Sequence, residues 1–224
     1  MAELTHFYHL WLGGAWRVRA AEHFQALRDA GFPGPVHVGL VGPAQDRLAA
    51  RELLAQQFPV TVVAEAEAGF EEVTLRALSH RVRQWPGDTA VLYAHAKGTF
   101  NATNTNLLWA GAMTDYLVGG WRERVAELAR HDLAVQTWLD RETLDPGGRA
   151  IGADVAAGNF WWARADYLAG LPWLPEGLTD RYAAEGWVGQ DSPAVACQSR
   201  DWPSVRPAYA WVADRGVYRR VQVY

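Results

Sequence analysis

The run Thr89-Ala90-Val91-Leu92-Tyr93-Ala94-His95-Ala96-Lys97-Gly98 decides how this chain is read. Its first six residues are β-prone and mostly apolar on every position, not on alternate ones. That pattern fits a central strand buried on both faces, as in a parallel sheet covered by helices. The run then turns polar within one residue. In open α/β sheets ligands bind beyond the carboxyl ends of the strands, so His95 and Lys97 stand where a ligand is expected. A lysine there supplies a positive charge, a histidine can donate a hydrogen bond, and Gly98 lets the backbone approach closely. Together these suit a phosphate or diphosphate.

Upstream of that run, strands and helices alternate. Residues 6–12 read as an aromatic first strand stopped by Gly13-Gly14. Val18, Ala21, Phe24 and Leu27 recur at helical spacing, closed by Gly31. Residues 36–41 and 60–63 read as strands two and three, with a helix around Leu48, Leu53 and Leu54 between them. Residues 69–84 read as a helix with Phe70, Val73, Leu78 and Val82 on one face. The alternation predicts a single α/β domain with a mostly parallel central sheet flanked by helices. The loops after residues 12, 41, 63 and 94 then share one edge.

Downstream, a long helical tract is expected over about 106–130, broken at Gly119-Gly120. A strand follows at 133–138, and an irregular loop starts at Asp145-Pro146-Gly147-Gly148. Residues 159–163 read as a short aromatic strand, 164–171 and 179–188 as short helices, and the segment from Val205 to Tyr224 as ending in a strand. Strand alternation would send Phe160 and Trp162 to one face and Asn159 and Trp161 to the other. One face could then meet a ligand, and Asn159 could bind a hydroxyl.

Composition narrows the function classes. The chain has 224 residues, net charge −4 and twelve tryptophans, and its isoelectric point is about 6.0. That lacks the basic surplus of a general nucleic-acid binder. The single cysteine, Cys197, cannot form an internal disulfide and reads as a buried bystander. No apolar run is long enough to span a bilayer, and the start carries no signal-peptide pattern, so a cytoplasmic location is expected. There is no Walker loop, zinc spacing or Gly-x-Ser-x-Gly element. Asp140-Arg141-Glu142 matches an acidic metal-binding pair only loosely. Glu71 and Glu72 fit the first turn of a helix, where the dipole favours acids. Glu185, on a short helix with Asp180 and Arg181, is a candidate general base.

Four elements taken in order resemble a known group. These are Phe7-Tyr8-His9 leading to Trp16-Arg17; Leu92 to Gly98; Gly158-Asn159-Phe160-Trp161-Trp162-Ala163-Arg164; and Arg181-Tyr182-Ala183-Ala184-Glu185. The set is similar to bacterial GT-A-like glycosyltransferases and distantly to the rhamnan synthesis protein family, over about residues 6–190. The resemblance implies one nucleotide-sugar-binding domain, with a donor half over about 1–100 and an acceptor half over about 101–224. It implies donor-binding roles for Trp11, Gly13, Glu71, Thr74, His95 and Lys97, and acceptor-side roles for Asn159, Trp161 and Trp162. Glu185 would be the base of an inverting reaction. The donor would be a nucleotide sugar and the acceptor a glycan, with nucleic acid entering only as an acceptor, through modified DNA bases of the phage type.

Such enzymes usually hold a divalent metal on an Asp-x-Asp element after the fourth strand. Here His95-Ala96-Lys97 stands at that point, which implies that Lys97 and His95 take over the metal's charge, with no metal ligands assigned. Three positions depart from the group: Ala96 for a usual Thr, Val155-Ala156-Ala157 for His-Phe-Ser, and Trp109-Ala110 for Trp-Arg. These departures bear on acceptor recognition, and they keep a non-catalytic carbohydrate-binding protein of the same fold as the alternative.

Overall fold

A computed structural model describes residues 3–100, 102–144, 150–175, 178 and 181–200, without the side chains of Gln57, Arg181 and Tyr182. The first half is the expected alternation: β1 (Leu4–Trp11), α1 (Trp16–Asp29), β2 (Val36–Val41), α2 (Ala44–Gln57), β3 (Val60–Ala66), α3 (Glu72–Val82) and β4 (Ala90–His95). Then follow α4 (Asn104–Thr114), a π-helical turn (Asp115–Gly119), α5 (Trp121–Glu127) and β5 (Leu133–Leu139). The last third holds β6 (Val155–Ala156), β7 (Trp161–Arg164), α6 (Ala165–Gly170), α7 (Arg181–Glu185) and β8 (Val195–Ser199).

One sheet of eight strands runs β3-β2-β1-β4-β7-β5-β6, with β8 also on β5. Strands β1 to β4 pair in parallel. β7 enters reversed between β4 and β5, and β6 is also antiparallel to β5. Hence β1 to β5 and β8 point one way and only β6 and β7 oppose them, which gives the mostly parallel sheet expected.

Alternation along the strands builds two cores. Tyr8, Leu10, Leu92, Ala94 and Trp162 face α1, α2 and the π-helical turn. Phe7, Val91, Tyr93, Val135 and Trp161 face α3 and α6. A sheet covered on both sides explains the near-continuous apolar runs of β4 and β5. Burial of this kind, at roughly 25 cal/mol per Å² of apolar surface, is the main force holding such a domain.

Several elements differ from the sequence reading. Helix α1 begins at Trp16 and buries Trp16, Ala20, His23, Phe24 and Leu27, leaving Val18 51% exposed. The stripe is therefore rotated from the one expected, because the large indole of Trp16 claims the core. The long tract at 106–130 divides into α4, the π-helical turn and α5 at Gly119-Gly120, as expected, and α4 opens on a Thr103 cap that accepts from the Asn106 N–H at 3.2 Å. Strand β8 went unpredicted, and Cys197 sits half-buried within it, opposite Val135. The loop at 145–148 and the expected strand in 205–224 lie outside the described residues. No helix among the described residues is long and apolar enough to cross a membrane.

Candidate functional site

Because β1 and β4 are parallel neighbours, His9 and His95 are register partners at one edge of the sheet. The first turn of α3 reaches the same edge. Between them lies a cleft of about 320 Å³, lined by Trp11, Phe70, Glu71, His95, Lys97 and Asn106 among others. A larger groove, about 760 Å³, lies at the opposite edge between Pro33, Pro35, Trp85 and Trp121. Three polar atoms beside that groove, on Thr5, His37 and Thr89, have no hydrogen-bond partner, but they are sealed beneath its wall. Charged groups converge at the smaller cleft, which makes it the candidate site.

Glu71 is the hub of the cleft. It precedes α3, and its Oε2 accepts hydrogen bonds from the Tyr93 hydroxyl at 3.2 Å and from the Asn159 amide. Its Oε1 lies 3.6 Å from His95 Nδ1. His95 Nε2 reaches the Gly158 carbonyl at 2.9 Å. Residues from α3, β4 and the turn before β7 are thus tied together around one carboxylate. The Tyr93 phenol is pushed well above its usual range, first by burial and then by the charges of Glu71, Glu72 and Glu185. Glu72, the other first-turn acid, caps the local backbone by accepting from the Phe70 N–H at 2.8 Å.

The turn at Gly158-Asn159 holds two successive positive φ angles, 82° and 51°. A side chain at Gly158 would collide with Met113, whose sulfur lies 2.7 Å from the added carbon. Asn159 is not a glycine, so the turn stores strain there, and its amide is held on both sides. Trp161 Nε1 can only donate, and it meets Asn159 Oδ1 at 2.8 Å, which orients the amide nitrogen toward Glu71.

Beneath the cleft, His9 is buried and shares a 2.8 Å hydrogen bond with the Thr74 hydroxyl. Burial, aided by the charge of His95, lowers its pKa to about 3. Gly39 makes room for this contact, since a Cβ there would come within 1.9 Å of Thr74 Oγ1. Lys97 follows a 2.7 Å turn bond from its own N–H to the His95 carbonyl. Its ammonium rests 4.0 Å from the centre of the Trp109 ring, a cation–π contact. Trp11 forms one wall, edge-on to the exposed Phe100 at 5.7 Å.

Of the residues expected in the site, Trp11, Glu71, His95 and Lys97 line the cleft. Five other positions stand outside that lining. Gly13 lies against the Trp11 indole, and a methyl group there would come within 2.1 Å of the ring. Thr74 is fully buried, with its hydroxyl bonded to His9. Asn159 is 1% exposed, with its amide committed to Glu71 and Trp161. Trp161 and Trp162 have no exposed surface. Trp161 stacks on Tyr93 at 5.0 Å, and Trp162 donates to the Leu117 carbonyl at 2.8 Å. A strand between β4 and β5 has core on both faces, so neither indole can meet an acceptor. Glu185 is half-buried at the end of α7, which packs on α3, and its charge reaches Tyr93. Asp180 and the Arg181 side chain lie outside the described residues.

The end of β4 does not fit a divalent cation. Lys97 is itself a cation, and both nitrogens of His95 face other protein groups. Asp140 is engaged with Trp138 at 3.0 Å and Arg200 at 3.5 Å. Among the described residues no three His, Cys, Asp or Glu side chains cluster to hold a metal.

The fold is GT-A-like, a single mixed α/β domain. The solved structure of 4-diphosphocytidyl-2C-methyl-D-erythritol synthase from Anaerococcus prevotii superposes with a TM-score of 0.51 at 6% identity, covering 96% of each chain. S. aureus TarS superposes with a TM-score of 0.51 at 11% identity, covering 96% of this chain and 39% of TarS. Likeness at such identity establishes the fold alone. No protein-family model and no curated protein sequence matches the chain.

Proposed function

We propose that this protein is a glycosyltransferase that moves a sugar from a nucleotide-sugar donor to a hydroxyl acceptor. The observation that carries the reading is the cleft at the carboxyl edge, where Lys97 stands beside aromatic walls from Trp11, Phe70 and Phe100. In this reading a base or ribose packs against Trp11 and the diphosphate meets Lys97. A fixed ammonium there would stabilise negative charge developing on the leaving diphosphate, often the largest single contribution in transfer reactions. Residues up to about 100 form the donor half, and the acceptor, a glycan in the leading version, approaches from the later half. Glu185 serves as base if the reaction inverts configuration.

A thermal-shift screen tests the reading, since a ligand that binds the native state raises its apparent stability. The panel holds UDP-, dTDP-, GDP- and CMP-sugars against wild type and Lys97→Ala, with and without Mn²⁺. CTP is included because the fold is shared with a diphosphocytidyl-methylerythritol synthase. The expected result is a shift with one donor class that Lys97→Ala loses and Mn²⁺ does not change. A shift that needs Mn²⁺ and survives Lys97→Ala would overturn the charge role of Lys97. Glycan binding without any nucleotide-sugar shift would favour a carbohydrate-binding protein of this fold.

A further inference from the structure

We infer that Glu71 is a positioning residue whose carboxylate holds His95 as an imidazolium, with its two N–H groups clasping α3 to the turn before β7. The argument is one of hydrogen-bond valence. The Gly158 carbonyl can only accept, so His95 Nε2 must donate to it across their 2.9 Å contact. A neutral imidazole with its proton on Nε2 would aim the Nδ1 lone pair at Glu71 Oε1, 3.6 Å away. Two electron-rich atoms facing each other in a half-buried site repel, so a second proton on Nδ1 resolves the contact.

Glu71 is placed to impose this. Its other oxygen accepts from Tyr93 and from Asn159, and the Asn159 orientation is fixed in turn by Trp161. Donors on that oxygen favour the ionised carboxylate. Neighbouring elements supply further groups. β1 contributes His9, which burial keeps neutral, and α1 contributes His23, whose imidazole is likewise held well below its usual range, first by burial and then by the charges of His6 and His95. Phe160 meets the ring edge-on at 5.1 Å. Lys97 follows two residues later on the same loop, and α7 directs the charge of Glu185 at Tyr93.

The arrangement separates two roles that the sequence joined. His95 spends both nitrogens on protein groups, so it positions the loop that carries Lys97, and Lys97 supplies the cation for a ligand phosphate. This division of labour rests on the transfer reading above; the charge on His95 does not.

The test is nitrogen NMR of the full chain with ¹⁵N-labelled histidine, across neutral pH, on wild type and Glu71→Gln. Glutamine keeps an oxygen for Tyr93 and Asn159 and offers an N–H to Nδ1, so the variant preserves these three contacts and removes the charge. In wild type, His95 is expected to show two protonated ring nitrogens at pH 7.5. In Glu71→Gln it is expected to show one, on Nε2, with its titration moved to lower pH. A purely structural glutamate would not move that titration. A single protonated nitrogen in wild type at pH 7.5 overturns the inference without recourse to any variant. So does an unchanged His95 signal in Glu71→Gln. Calorimetry with UDP and GDP on the same samples separates the two claims: absence of nucleotide binding removes the transfer reading and leaves the His95 result intact.

Discussion

The two edges of the sheet differ in a way that size alone would misjudge. The amino edge carries the larger groove, walled by prolines and indoles, and its nearby polar atoms on Thr5 and Thr89 are sealed and without partners. The carboxyl edge carries a cleft of less than half that volume, yet there a glutamate, a histidine and an asparagine are tied together, with a lysine and a second histidine beside them. Parallel strands explain the contrast. They deliver every βα loop to one edge, so side chains that end strands meet there, whereas the other edge receives only the loops that return the chain.

Acid should strain the interior behind both edges and produce the largest effect. Burial lowers His6 to about 4 and His9 to about 3, and His23 shifts in the same direction. A histidine whose folded pKa lies below its unfolded value leaves stability intact above about pH 6.5. That stability is lost as pH falls toward the folded value. Between pH 7 and pH 5, His6 and His9 together should remove roughly 4 kcal/mol, read by urea unfolding at the two pH values. Equal stability at both would mean that these rings are not held neutral.

Trp121 lines the amino groove and donates to the Ala30 carbonyl at 3.1 Å. Trp121→Ala should lower stability by about 2–3 kcal/mol and leave nucleotide binding alone. If it abolishes binding, the assignment of roles to the two edges is wrong. Lys97→Ala should do the reverse. Nucleotide affinity should fall about tenfold, or roughly 1.4 kcal/mol, with stability nearly unchanged, as calorimetry and thermal melts together would show. The smallest effect belongs to Thr89→Val. Replacing an unpartnered buried hydroxyl by a methyl group should be neutral or stabilise by up to about 1 kcal/mol. A clear loss of stability would mean that the Thr89 hydroxyl has a partner after all.

Much of the fold was legible because β1 to β4 announce themselves. Their runs are largely apolar, Gly13 and Gly42 follow β1 and β2 closely, and the helices between them repeat at 3.6 residues. β8 was not legible: Val195-Ala196-Cys197-Gln198-Ser199 is short, half-buried and weakly patterned. The site was half visible. His95 and Lys97 could be found from their place after a buried strand. Glu71 was noted as a pocket residue, but its role as the hub was hidden, because an acid opening a helix has an ordinary dipole explanation. Only the tertiary structure brings Tyr93 and His95 of β4, and Asn159 from the turn before β7, to this carboxylate at the start of α3. The Trp161-Trp162 pair misled for a related reason. Adjacent indoles suggest a ligand platform, and only the position of β7 between β4 and β5 shows both faces covered.

The reversed direction of β7 also governs when the cleft can exist during synthesis. Leu92 pairs with Trp162 and Tyr93 with Trp161, so β4 waits for a partner made long after it. A nascent chain that has released only β1 to β4 exposes β4 as an open sheet edge, the kind of surface that recruits neighbouring chains. Slow, long-range pairing of this sort prolongs that exposure. Because β7 runs backward, its first residues, not its last, arrive at the carboxyl edge and bring Gly158 and Asn159 with them. Assembly of the Glu71 cluster and covering of the β4 edge are therefore reached in the same step, once β7 (Trp161–Arg164) has left the ribosome.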